Sequence, residues 1–348
     1  GYKDNVSLIE PECIACISFL ASTGTPFEIV FSNNTNLSPV NRLPILVTEN
    51  GEKISGYRDI VHKVSKEPLS LEQEGLIAYI TKYFNPTNQF NLYIVTENYE
   101  QYTRKLFKKY FPFPMMYNQP LKFYYSAQRV VRTVGLDSRG PGFFSFNGSS
   151  QSVAETEMIN EDSEVQGKTK AISALHEKQL LAKSKSKEIL RESTFKIKCL
   201  NLIDKTIEQV NQVKRVNQGK QDSQKNQETT KENSPADILL SSYLMAFTSA
   251  LPDDFIASYI STKYPSLMEK TRTEKLQFDQ LISRTSQRGP QGEETPSLWN
   301  EAKYLYNIIW TLTNWMVVTR RASVSEFRKG PFLKADEFFH YINYYRQS

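Results

Sequence analysis

Asn50-Gly51 lies between the apolar run 43–47 (Leu-Pro-Ile-Leu-Val) and Lys53-Ile54, and this dipeptide constrains the fold more than any other feature of the chain. Asn-Gly tolerates the positive φ that a type I′ turn demands, so the spacing predicts a β-hairpin. The flanking segments narrow the choice further. Residues 13–20 are apolar with helical spacing, and Pro11 suits the first helical turn, where its missing N–H has no intrahelical partner to lose. Residues 27–32, Phe-Glu-Ile-Val-Phe-Ser, are β-branched and aromatic and predict a strand. Ser55-Gly56-Tyr57 leads into a helix whose Ile60, Val61 and Val64 keep a period of 3.6.

The order helix, strand, Pro-led strand, hairpin strand, helix is a partial thioredoxin-like pattern. Its complete form needs one more strand ahead of the first helix. The chain begins on Gly1 rather than Met, so that strand is expected upstream, where a targeting peptide would also be out of view. From residue 69 the periodicity turns helical, with Leu71, Gly75, Leu76, Tyr79, Ile80 and Tyr83 on one stripe. Residues 99–111 read as a second helix with a basic face of Arg104, Lys105, Lys108 and Lys109. Pro112, Pro114 and Pro120 predict an ordered, packed turn in place of helix, and a further helix then runs to about Gly135.

The expected organisation is a thioredoxin-like unit over 1–66 and the first helices of a helical domain over 67–136. A flexible loop rich in Gly, Ser, Asn and acid follows over 137–167. The helical domain resumes over 168–283, with a polar Gln/Lys/Asn linker at 217–233, and a C-terminal helical segment occupies 284–348. Residues 168–231 carry fifteen Lys and Arg against seven Asp and Glu. Leu175, Leu180, Ile189, Ile197, Leu200, Ile203 and Ile207 give that stretch its helical apolar spacing. At Ser234-Pro235-Ala236-Asp237, the Ser can cap the N3 amide, Pro suits N1, and Asp237 can reach back to the N-cap amide. Helices over 238–251, 253–264 and from 265 follow, then a polar break at 284–296 and a last helix over 297–320.

Composition excludes several classes of function. A chain of 348 residues, 39% apolar and 23% charged, builds about two globular domains, and a net charge of +5 is too mild to imply a nucleic-acid binder. Three cysteines argue against a disulfide-stapled secreted protein. His62, His176 and His340 are far apart and none has a second ligand at metal spacing, so no metal is expected. The triplets at Asn33, Asn36 and Asn147 match glycosylation sequons but arise by chance, and the cysteine usage suggests a reducing compartment.

Cys13-Ile14-Ala15-Cys16 is a C-x-x-C motif, the spacing of a redox pair whose attacking thiol is activated at a helix N-terminus. Aliphatic neighbours and the position of Cys16, a turn and a half into the helix, favour a structural reading. Pro44 occupies the place where thioredoxin-like folds keep a cis-proline. In related transferases that turn and the following Ser present the peptide part of glutathione, and here Ser55-Gly56 follows the hairpin. The acidic or Gln partner usual before that Ser is replaced by Lys53-Ile54, so no ligand is expected. The basic stretch 168–215 has Phe195 as its one aromatic, which gives no platform for base stacking. All three tryptophans, Trp299, Trp310 and Trp315, fall in the last helix. Its uncharged run 304–319 is short for a bilayer span and reads as a packed or partner-facing amphipathic helix, with interfacial membrane contact through Trp299, Trp310 and Trp315 as the alternative.

Residues 11–15 (Pro-Glu-Cys-Ile-Ala), 28–35 (Glu-Ile-Val-Phe-Ser-Asn-Asn-Thr), 42–47 (Arg-Leu-Pro-Ile-Leu-Val) and 50–57 (Asn-Gly-Glu-Lys-Ile-Ser-Gly-Tyr) resemble the metaxin family, in its fungal branch. Residues 102–107, 113–120 and 234–240 continue the resemblance, which is specific over 1–65 and 99–125 and weak over 137–190 and beyond 275. It implies an α+β, glutathione-transferase-like fold with an all-helical C-terminal domain and no enzymatic role or cofactor. It further implies a place on the cytosolic face of the mitochondrial outer membrane, in the sorting and assembly machinery. The implied partners are an Omp85-family β-barrel subunit, a second metaxin-like subunit, β-barrel precursors and the outer-membrane translocase, with no nucleic acid. The alternative from a different class is a glutathione-dependent transferase or thiol-redox enzyme using Ser55 or the Cys13/Cys16 pair.

Overall fold

Pro11 opens the first helix, α1 (Pro11–Ser22), at the position where a missing N–H costs nothing. The computed structural model describes residues 10–38, 41–65, 68–136, 169–221, 234–303 and 306, with side chains of the 169–221 helix described over 189–215. α1 buries Ile14, Ala15, Cys16, Phe19 and Leu20. Of the strand expected over 27–32 only β1 (Ile29–Val30) is regular. The hairpin forms from β2 (Ile45–Val47) and β3 (Lys53–Ser55), with Ile45 opposite Ser55 and Val47 opposite Lys53. Its turn differs from the type I′ expectation. The Thr48 amide donates to the Glu52 carbonyl at 3.0 Å and the Gly51 amide to the Thr48 carbonyl at 2.8 Å. Only Gly51 of the pair has positive φ (77°), so the connection is a three-residue loop with glycine at the left-handed position. α2 (Tyr57–Val64) then buries Tyr57, Ile60 and Val61.

α3 (Leu71–Gln89) starts at Ser70, whose hydroxyl accepts from the Gln73 amide at 3.3 Å. Its buried stripe is Leu76, Ile77, Ile80 and Phe84. Leu71, placed on the stripe by periodicity, lies in the first turn and is 87% exposed. The chain continues through a π-turn at Phe90–Ile94, the single turn α4 (Thr96–Asn98), a second π-turn at Tyr99–Thr103 and α5 (Arg104–Tyr110). α6 (Met115–Arg132) contains Pro120, against the expectation that three prolines exclude helix there. Pro120 sits in the second turn, where its ring is buried and the one backbone bond forgone is to Met116.

α7 (Thr169–Gln221) is a single helix of 53 residues, so the first residues of the expected linker, 217–221, are helical. The loop over 137–167 and linker residues 222–233 lie outside the described residues. Cys199, Ile203, Ile207 and Val210 form the buried stripe of α7, whereas Ile189 and Ile197 face away from the core. α8 (Pro235–Phe247), α9 (Phe255–Lys263) and α10 (Pro265–Arg284) follow. The expected polar break at 284–296 is ordered instead. It contains β4 (Gln287–Arg288), which pairs in parallel with β1, Ile29 opposite Gln287 and Val30 opposite Arg288. Arg288 reaches Glu28 at 3.0 Å and grips both carboxylate oxygens of Glu294 at 2.6 and 2.8 Å.

The described residues are therefore mostly helical with two two-stranded sheets, an α+β arrangement. Its core centres on α8, whose Leu239, Tyr243 and Phe247 are fully enclosed between α1 and α3. Phe84 meets Phe247 and Tyr243 edge-on at centroid distances of 5.3 and 5.7 Å. Each such side chain contributes about 1.5–3 kcal/mol by leaving water. A smaller cluster of Ile14, Ile29, Met245, Phe278 and Ile282 seats α10 and β1 on the other side of α1 and α8.

Candidate functional site

The place where a thioredoxin-like unit would present a ligand lies between the start of α1, the Leu43–Pro44 turn and the start of α2. The Leu43–Pro44 peptide is cis. Several polar groups there have a partner within the chain. The Pro44 carbonyl accepts from the Gly56 amide at 2.9 Å, and the Ser55 hydroxyl lies 2.9 Å from that of Ser38, which is buried. Gly56 enters α2 with φ of 88°, a value that favours glycine. The first amide of α2, on Tyr57, donates to Glu12 Oε2 at 3.4 Å. The other oxygen of Glu12 pairs with Arg42 Nη2 at 2.8 Å. A carboxylate from α1 thus occupies the positive end of α2, where an incoming anion would otherwise sit.

The thiols of the C-x-x-C motif are shifted away from the thiolate form. Burial, then the charge of Glu10, pushes Cys13 well above the ordinary thiol value. Burial, then the charge of Glu12, pushes Cys16 up to about 12. Neither thiol has a cation to lower it, and the acidic neighbours act in the opposite direction to a redox centre. Burial and Glu12 likewise raise Glu10 to about 8. Tyr243 is enclosed beside the same carboxylates, and burial raises its phenol well above the usual range. This constellation of Glu10, Glu12, Arg42, Ser38 and Tyr243 is not legible as a motif, because its members lie on three separate segments. The one local signal is an acidic residue in the first turn of α1.

The other residues singled out by sequence are placed as follows. Ser234 caps α8, its hydroxyl accepting from the Asp237 amide at 3.2 Å. Asp237 meets the Ser234 hydroxyl at 2.9 Å instead of the N-cap amide, and also pairs with Lys214 of α7. Trp299 is 78% exposed at the start of the last helix, where the Ser297 hydroxyl caps the Asn300 amide at 3.1 Å. Trp310 and Trp315 lie outside the described residues. Among the described residues no group of three or more Cys, His, Asp or Glu is arranged to hold a metal. No helix among them is long and apolar enough to cross a membrane.

Residues 13–124 match the family model described as outer mitochondrial membrane transport complex protein, and residues 152–308 match the Tom37 C-terminal domain. The Metaxin-1 homolog of Drosophila melanogaster is 29% identical over 145 residues, covering 38% of this chain and 44% of the relative. Metaxin-1 of Macaca fascicularis is 25% identical over 122 residues, covering 32% of this chain and 38% of the relative. Human Metaxin-1 is 25% identical over 122 residues, or 26% of its own length. The matched segment thus spans less than half of each of these relatives.

Proposed function

Given that this chain belongs to the metaxin family as a Tom37-type member, we propose that it is a non-catalytic subunit of the mitochondrial outer-membrane β-barrel assembly complex. In that role it sits on the cytosolic face and binds an Omp85-family barrel and a second metaxin-like subunit. It stabilises their assembly and assists insertion or release of barrel precursors, and it contacts the outer-membrane translocase. The fold is glutathione-transferase-like, with the thioredoxin-like unit over 1–66 and the helical domain after it.

The observation that carries the non-catalytic half is the engagement of the cleft's polar groups by the chain itself. Ser55, the Pro44 carbonyl and the Tyr57 amide are all engaged by the chain itself, and both nearby thiols are held protonated. A transferase needs such groups turned to its ligand and a thiol binder needs a lowered pKa. The working parts are then surfaces. Trp299 is exposed where it can act as an anchor, and we extend that role to Trp310 and Trp315 of the same predicted helix.

The test is affinity purification of the full chain from mitochondria, against a chain lacking residues 297–348. Recovery of the barrel subunit falls in the shortened chain if the tryptophan-bearing helix is a docking element; undiminished recovery removes that role. Retention of the purified chain on immobilised glutathione, abolished by Ser55→Ala, would replace the whole reading by the transferase alternative.

A further inference from the structure

Between Gln101 and Leu136 the sequence has seven Lys and Arg and no Asp or Glu. The structure folds this stretch into α5, the corner 111–114 and α6. Arg104, Lys105, Lys108 and Lys109 are exposed and recur at the three- and four-residue spacing of one helix stripe. At the corner, Phe111 is buried and stacks on Phe107 with centroids 5.3 Å apart, which pins the loop from inside. Phe113, two residues on, points the other way and is 78% exposed. Its neighbours Pro112 and Pro114 fix φ on both sides, so the exposed ring is held out on a stiff support. Tyr117 stands edge-on to it at 6.2 Å and is 55% exposed, and Tyr125 follows two turns along the same face of α6. Acids border this stretch without entering it: Glu301 lies 3.8 Å from Lys122, and Glu100 stands one helical turn before Arg104.

We infer that this corner is a peripheral membrane contact: Phe113 and Tyr117 enter the headgroup layer of an anionic phospholipid surface while Lys105, Lys108 and Lys109 lie against its phosphates. The composition favours lipid over a protein partner. Protein interfaces are depleted in Lys and prefer Arg, whereas the basic residues flanking Phe113 in sequence, Lys108, Lys109 and Lys122, are lysines. Aromatic rings flanked by lysine are the pattern of an element lying in the bilayer interface. With no spanning helix among the described residues, such a contact orients this part of the chain without crossing the bilayer. The inference deepens the membrane-complex reading and rests on it for where the surface is used.

The experiment is co-sedimentation of the purified full chain with phosphatidylcholine vesicles, with and without phosphatidylserine, at low and physiological salt. The chain pellets with the anionic vesicles and less so at higher salt. Each lysine near an anionic surface is worth about fivefold, so Lys105→Glu with Lys108→Glu lowers the partition coefficient at least about twentyfold. Phe113→Ala with Tyr117→Ala lowers it about tenfold. All four side chains are exposed, so circular dichroism and melting temperature stay at wild-type values in both variants. Equal binding to neutral vesicles, or variants that bind like the wild type, overturns the proposal. So does a wild type that ignores vesicles while the variants lose the barrel subunit on co-purification, an outcome that makes the corner a protein contact. Loss of the assembly reading shows instead in the 297–348 deletion, with vesicle binding unchanged.

Discussion

The Tyr57 hydroxyl donates to the Pro235 carbonyl at 2.8 Å, tying the first turn of α2 to the first turn of α8 across 178 residues of sequence. The ring is 1% exposed and packs edge-on against Phe19 at 6.2 Å. Tyr57→Phe keeps that packing and removes the second donor from a carbonyl in the first turn of α8, so it costs about 1 kcal/mol. Urea unfolding checks this, and an unchanged midpoint would show the bond contributes nothing.

Asn98 is fully enclosed and joins the π-turn region to the α8–α9 connection. Its Nδ2 donates to the Asp253 carbonyl at 3.0 Å and to the Asn91 carbonyl at 3.1 Å, and its Oδ1 accepts from the Asp253 amide at 2.8 Å. Asn98→Ala strands backbone groups on both elements and destabilises by about 2–4 kcal/mol. Asn98→Asp loses more, because its carboxylate replaces a donor with an acceptor facing two carbonyls. Chemical denaturation of the two variants ranks them.

Glu10 gives a pH dependence of definite sign. Burial raises it from 4.5 to about 8, so the folded chain binds this proton more tightly than the unfolded chain. Its contribution is complete below pH 4.5 and is lost as pH rises through 8. Glu10→Gln, which cannot ionise, therefore flattens the decline in stability over that window, by an amount on the order of a few kcal/mol. Parallel melting curves for wild type and variant across the window contradict the assignment.

The thiols supply a direct check on the silent cleft. A thiol raised to about 12, as Cys16 is, exists as thiolate in roughly one molecule in a hundred thousand at neutral pH. Native Cys13, Cys16 and Cys199 then react slowly with a disulfide reagent, and all three titrate at once in guanidinium. Burst labelling of Cys13 in the native protein would reinstate the redox reading.

Much of the architecture is legible from periodicity: α1, the hairpin, α2, α8 and α10 fall where spacing and capping residues place them. Three features resist reading for different reasons. Gln287-Arg288 has neither β-branching nor alternation, since β4 is held by backbone bonds to β1 and by Arg288. Ile189 and Ile197 share the helical spacing of core residues, yet which apolar side of α7 is covered depends on neighbours that spacing does not reveal. The role of Glu12 depends on Arg42, thirty residues away, and on an amide of α2, so a first-turn acid looks like any other.

The pairing of β1 with β4 also sets an order of events during synthesis. The bond from the Ser286 side chain to Glu28 spans 258 positions, so the edge of β1 that pairs with β4 waits until residue 288 has been made. At the usual pace of translation of about 5–20 residues per second, that edge waits for tens of seconds. An unpaired strand edge recruits other strands, and the nascent N-terminal unit is therefore exposed to mispairing for that interval. A ribosome-stalled chain ending before residue 284 should engage holdase chaperones, and one extended past residue 296, with the exit tunnel cleared, should release them.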